Sequence, residues 1–185
     1  LKNYFIVCNH FWKHKNFETL LKSFKILKNN KINLVITGQV SSKNFKYFNK
    51  IENLIKKFKL TNNVKIFTNL EKKEQLRLLN NSIALIQPTL FEGGPGGFSV
   101  YEAISLGKPS IVSDIDVNKE IKNKNVFFFK KNNSHDLSYK ILKIAKNKPK
   151  SILKSKIIKD SKKNKLILGK YIFDIIKNLI NKNVS

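Results

Sequence analysis

The sequence predicts an α/β fold built on a doubly wound parallel sheet. Three observations carry that expectation. Short, continuously apolar runs recur along the chain; amphipathic helical stripes alternate with them; and two of the runs stop at Gly38 and Pro88. A strand that is apolar on both faces is buried on both faces, which means a parallel sheet covered by helices on either side.

The elements follow in order. Residues 4–8 (YFIVC) form a run long enough for a fully buried strand. Asn16 stands where a helix cap belongs, and Phe17, Leu20, Leu21, Phe24 and Leu27 then recur at helical spacing. NLVIT at 33–37 is the second strand. Phe45, Phe48, Ile51, Ile55 and Phe58 form the next helical stripe, and VKIF at 64–67 the third strand. A short helix at 71–80 precedes a fourth strand, SIALIQ at 82–87. A glycine-rich loop leads to a helix at about 99–106, then come strands at 109–113 and 126–129 and a helix at 134–147. Helical stretches at about 150–160 and 163–181 close the chain, the second with an apolar face of Leu168, Ile172, Ile175, Ile176 and Leu179. Right-handed crossovers make such a chain Rossmann-like, and ligands then bind outside the carboxyl ends of the strands. That rule directs attention to residues 9–15, 38–42, 68–70, 88–98 and 113–118.

The length of 185 residues suits one domain with a sizeable core. Basic residues number 37 against 12 acidic, a net charge of +25, yet Arg77 is the sole arginine. Nucleic-acid readers favour arginine for bidentate contacts, so no nucleic-acid partner is expected. Lysine, asparagine and isoleucine enriched together match the coding bias of an AT-rich genome. The single cysteine, Cys8, excludes internal disulfides and cysteine-built metal sites, and its apolar setting reads as a small buried hydrophobe. No run of 18 apolar residues occurs and no signal peptide is visible, so a cytoplasmic location is expected. The chain has no methionine, which leads us to expect that residue 1 is an internal position of a longer protein.

Four of the seven glycines fall in GGPGG at 93–97. Glycines there let backbone approach a ligand, and the loop runs into a helix N-terminus near Ser99. Free N–H groups at 96–99 and the positive end of the helix dipole suit a diphosphate. The loop is neither GxxxxGK[ST] nor GxGxxG. Ser99-Val-Tyr-Glu102 also reads as a capping box, with Phe98 and Ala103 as its staple, a device contributing about 1 kcal/mol without any ligand. Glu92, a carboxylate between a strand end and a flexible loop, has little such structural use and reads as a ligand residue.

The segment PTLFEGGPGGFSVYEAISLGKPSIVSD resembles the signature of glycosyltransferase family 4, in the C-terminal half of the GT-B fold. The matching positions are Pro88, Thr89, Glu92, Gly93, Glu102, Ala103, Gly107, Pro109, Ser113 and Asp114. Upstream, ITG at 36–38 and HKNFETLLKSF at 14–24 resemble the family's second strand and first helix; downstream, Glu120-Ile121 resembles its E-I. The likeness covers roughly residues 4–147. Two departures stand out. Nine residues separate Glu92 from Glu102 where the family usually has seven, and His10 stands where the family offers an arginine.

The resemblance implies a retaining glycosyltransferase that binds a nucleotide-diphosphate sugar as donor and transfers the sugar to a saccharide or lipid-linked acceptor. It implies that Lys15 stabilises charge on the departing diphosphate, with His10, Gly38, Gly96, Gly97, Phe98 and Ser99 around the nucleotide. By the same analogy Glu92 contacts donor-sugar hydroxyls and Glu102 the ribose. No metal or other cofactor is implied; Asp114-Ile-Asp116 only superficially resembles a metal-binding DxD. Residues 1–150 are then the donor-binding domain and 151–185 a helical extension. The acceptor domain is expected before residue 1, leaving this chain alone able to bind donor but transferring little. A GT-B-type sugar-nucleotide epimerase and a basic nucleic-acid-binding protein are the alternatives. Residues 140–170 carry twelve lysines and one acid, Asp160, and offer a peripheral contact with anionic lipid at the inner membrane face.

Overall fold

The computed structural model describes residues 3–147 and 154–182. The chain divides into two compact units, 1–151 and 152–185. The expected boundary at 150/151 lies outside the described residues.

Among the described residues the first unit is built on six strands: β1 (Tyr4–Cys8), β2 (Asn33–Gly38), β3 (Val64–Thr68), β4 (Leu85–Gln87), β5 (Ser110–Ser113) and β6 (Val126–Phe129). All pairings are parallel, in the order β3-β2-β1-β4-β5-β6. This is the doubly wound arrangement, in which chain direction across the sheet reverses between β1 and β4. Among the described residues six α-helices belong to the unit: α1 (Phe17–Ile26), α2 (Phe45–Lys57), α3 (Lys72–Asn81), α4 (Gly97–Ser105), the short α5 (Asp116–Lys119) and α6 (Ser134–Asn147).

Strand alternation explains the continuous apolar runs. Phe5, Val7, Leu34, Ile36, Ile86 and Ile111 join one buried cluster with residues of α1, α2 and α6. Tyr4, Ile6, Val35, Leu85 and Val112 join a second with residues of α3 and α4. Every strand face needs an apolar residue, so helical spacing appears only between the strands. Phe45 departs from its stripe: it is 52% exposed at the first position of α2.

Three expected local devices are absent. Asn16 does precede α1, but with φ 54° and no capping bond from its side chain, whose amide instead donates to Asn132 Oδ1 at 3.1 Å. A left-handed residue turns its side chain away from the helix's first N–H groups and toward a distant loop. The helix expected at 99–106 begins at Gly97, capped by Gly96 in the left-handed conformation. Ser99 is therefore the third residue of α4 rather than its cap, and the capping box with Glu102 does not form. Phe98 is 90% exposed, so no staple to Ala103 forms either.

The described residues of the second unit form one continuous helix, α7 (Lys154–Lys182), where two helical stretches are expected; residues 150–153 lie outside the described residues. Nothing between 160 and 163 breaks a helix, and Gly169 inside it costs about 1 kcal/mol relative to alanine. Leu168, Ile172, Ile175, Ile176 and Leu179 are exposed. Among the described residues, no helix is long and apolar enough to cross a membrane.

Candidate functional site

The carboxyl ends of β1, β2 and β4 border a cleft of about 530 Å³ in the first unit. The fold dictates its place: at the β1/β4 reversal the crossovers leave in opposite directions and open a crevice. Lys15, Glu92, His10, Gly38, Gly97, Phe98, Ser99 and Glu102 all line it. Gly96 does not, and its N–H donates to Asn118 Oδ1 at 3.0 Å. Of the five strand-end segments, 113–118 contributes no lining residue. In Asp114-Ile-Asp116, Asp114 Oδ1 accepts from the Lys131 N–H and Asp116 Oδ1 from Lys119 Nζ.

Each glutamate meets a lysine from another element. Lys15, at the end of a 3-10 turn (Lys13–Lys15) between β1 and α1, donates to Glu92 Oε1 at 2.5 Å. Gln87, the last residue of β4, donates to the same oxygen at 2.7 Å. Across the cleft, Lys72 at the start of α3 lies 2.5 Å from Glu102 Oε1. Lys72 also donates to Gln75 Oε1 at 3.1 Å, and the Gln75 amide to Thr37 Oγ1 at 3.1 Å.

The first turn of α4 faces the same space through its backbone. The N–H groups of Phe98 and Ser99 have no acceptor within the helix, because α4 starts at Gly97. The Ser99 hydroxyl donates to Gln87 Oε1 at 3.1 Å, so toward the cleft that residue offers its N–H rather than its O–H.

His10 is exposed, and its Nδ1 accepts the Gln39 N–H at 3.2 Å. An imidazole accepting at Nδ1 has no proton there, so in this bond it ties two strand ends together rather than serving as an arginine-like fork. Gly38 is required by close approach: a Cβ there would stand 2.2 Å from the Asn9 carbonyl oxygen. Burial, then the neighbouring Lys15 charge, lowers the His14 pKa, with Glu92 opposing. Burial pushes the Cys8 thiol up to about 11; a Thr37 hydrogen bond opposes this, Glu102 adds to it and Lys72 opposes it.

Sequence reasoning missed Gln87, Lys72, Gln75 and Asn118. Gln87 carried a signal, as the one polar residue ending an apolar strand before Pro88. Asn118 lies in the 113–118 segment to which the strand-end rule points; Lys72 and Gln75 carried no signal.

The family model described as glycosyl transferases group 1 matches residues 2–164. The chain belongs to this family. The O-antigen chain mannosyltransferase RfbU of Salmonella typhimurium is 26% identical over 120 residues, covering 65% of this chain and 32% of that protein. The chain thus spans about a third of the length of that curated relative. Among solved structures, a glycosyltransferase from Rickettsia africae is 22% identical with a TM-score of 0.69, covering 77% of this chain and 37% of that one. Anabaena Alr3699/HepE, crystallised with UDP, is 18% identical with a TM-score of 0.70, covering 80% of this chain and 41% of that one. At these identities the two structures establish the shared fold. The doubly wound sheet agrees with these GT-B neighbours, and group 1 membership places the chain among glycosyltransferases.

Proposed function

We propose that this chain is the donor-binding part of a retaining glycosyltransferase of family 4, taking a nucleotide-diphosphate sugar into the cleft at the β1/β4 reversal. The observation that carries the reading is the convergence of Lys15, Glu92 and the free N–H groups of Phe98 and Ser99 on one space. In the reaction, the acceptor's hydroxyl oxygen bonds to the sugar's anomeric carbon as the bond from that carbon to the diphosphate breaks; negative charge collects on the diphosphate, which takes up the hydroxyl proton. Lys15 and the two N–H groups stabilise that charge, an electrostatic role that needs no metal. Glu92 accepts hydrogen bonds from donor-sugar hydroxyls. Glu102 accepts from the ribose, and Gly38 and His10 border the nucleotide.

The acceptor is a saccharide, lipid-linked or free, held by a further domain of a longer protein. Two findings support this: the chain spans about a third of RfbU, and that relative is named for O-antigen chain transfer. The lysine-rich residues 140–170 provide a peripheral contact with anionic membrane, a reading that liposome co-sedimentation independent of anionic lipid would remove.

Thermal unfolding with UDP-glucose, UDP-N-acetylglucosamine and GDP-mannose tests the donor reading. At least one is expected to raise Tm, and Lys15→Ala and Glu92→Ala to reduce that rise. No rise with any of a broad set of nucleotide sugars overturns it.

A further inference from the structure

Gln87 closes β4 and is 1% exposed, a buried amide at the floor of the cleft. Its orientation follows from chemistry. The Glu92 carboxylate only accepts, so the Gln87 amino group faces it, 2.7 Å from Oε1. The Gln87 carbonyl then faces Ser99, whose hydroxyl donates across 3.1 Å. Both donors to Glu92, Lys15 and Gln87, therefore converge on Oε1. Among the described residues, Glu92 Oε2 has no hydrogen-bond donor.

The glycine loop folds back over the same pair. Gly97 has φ +56°, and a Cβ there would stand 3.2 Å from Gln87 Nε2 and 3.3 Å from Glu92 Oε2. One buried amide thus ties the start of the loop, Glu92, to Ser99 beyond its end. Between them, Gly93 and Gly94 have open space around their Cβ positions, so local packing does little to hold the loop. A glycine-rich loop with two residues more than the related pattern needs such a tie to present a carboxylate in one orientation.

We infer that Gln87 is a positioning residue for Glu92: it occupies Oε1 and leaves Oε2 as the acceptor for a donor-sugar hydroxyl. The inference rests on the proposal that Glu92 contacts the sugar of a nucleotide donor. Gln87 acts through Glu92, so its loss falls on recognition of the sugar more than of the nucleoside diphosphate.

The test measures dissociation constants by calorimetry on the 185-residue chain. UDP is paired with UDP-glucose and UDP-N-acetylglucosamine, and GDP with GDP-mannose. The readout is the ratio of nucleoside-diphosphate Kd to sugar-nucleotide Kd. Gln87→Met keeps the volume and removes both hydrogen bonds; it is expected to lower the ratio roughly tenfold. Gln87→Glu places a second carboxylate against Glu92 and is expected to lower it at least as far. Glu92→Ala is expected to lower the ratio similarly, and the double variant Gln87→Met/Glu92→Ala no further. A purely structural role for Gln87 weakens both ligands alike, and an unchanged ratio in Gln87→Met overturns the inference. If Glu92→Ala also leaves the ratio unchanged, the underlying reading of Glu92 fails as well. Absence of binding by all five ligands overturns both.

Discussion

The two ends of the cleft carry the same pair of residues in different settings. Lys15–Glu92 and Lys72–Glu102 are both 2.5 Å apart. At the first, the lysine and glutamate side chains are 14% and 11% exposed; at the second, 58% and 22%. Distance alone makes the two pairs look equivalent, and burial separates them. A largely buried charge whose partner is removed is left without water to replace it, whereas an exposed pair exchanges one solvated state for another. The Lys15–Glu92 end is also held by a buried amide, while among the described residues the further tie of Lys72 beyond Glu102 is to Gln75, a neighbour on its own helix. Built-in order therefore concentrates where the sugar and diphosphate are proposed to sit.

The largest effect expected from breaking this asymmetry is on stability. Lys15→Ala leaves Glu92 nearly buried without its cation and should cost about 3 kcal/mol in urea unfolding. Replacing both residues with apolar ones of similar volume should recover most of that loss. A cost below about 0.5 kcal/mol would place Lys15–Glu92 with ordinary surface pairs.

Cys8, on the cleft wall, sharpens the comparison from the other end. With its thiol at about 11 rather than the ordinary 9.0, chiefly through burial, the thiolate fraction at pH 8 is about a hundredfold lower than for an unperturbed cysteine. Iodoacetamide labelling at pH 8 should be slow by about that factor and should rise about tenfold per pH unit up to about pH 11. Glu102→Ala removes a charge that raises this pKa and should speed labelling; Lys72→Ala should slow it.

Glu102→Ala should weaken UDP or GDP binding by about tenfold through loss of the proposed ribose hydrogen bond, with little change in Tm. The smallest effect belongs to Lys72→Ala, about 0.5 kcal/mol in the same urea assay, vanishing when salt is raised to about 0.5 M.

The sheet was largely legible in the sequence because burial on both faces writes itself into consecutive residues, as in Phe5-Ile6-Val7 and Leu34-Val35-Ile36. The cleft follows from the rule about strand ends, which points to the segments that hold Lys15, Gly38 and Glu92. Cap geometry was less legible. Ser99 and Glu102 have capping-box spacing, but Gly96 starts the helix earlier through a positive φ that no side-chain pattern records. Asn16 was read from local sequence, while its side chain meets Asn132, brought near only by the fold. Gln87 was marked only by its polarity at the end of an apolar strand, and Lys72 by nothing: their partners lie on other segments, and a hydrogen bond across the fold leaves no periodicity behind.

The central claim is that the cleft at the β1/β4 reversal binds the diphosphate of a nucleotide sugar against the first turn of α4. The most direct measurement is a two-dimensional amide NMR titration of the chain with UDP or GDP, and with the sugar nucleotide that stabilises it best. The account predicts saturable shifts concentrated at Gly97, Phe98 and Ser99, with companions near Lys15 and Gly38, and their loss in Lys15→Ala. Shifts confined to α7, or spread evenly over lysine-rich surface and abolished by modest salt, would contradict it.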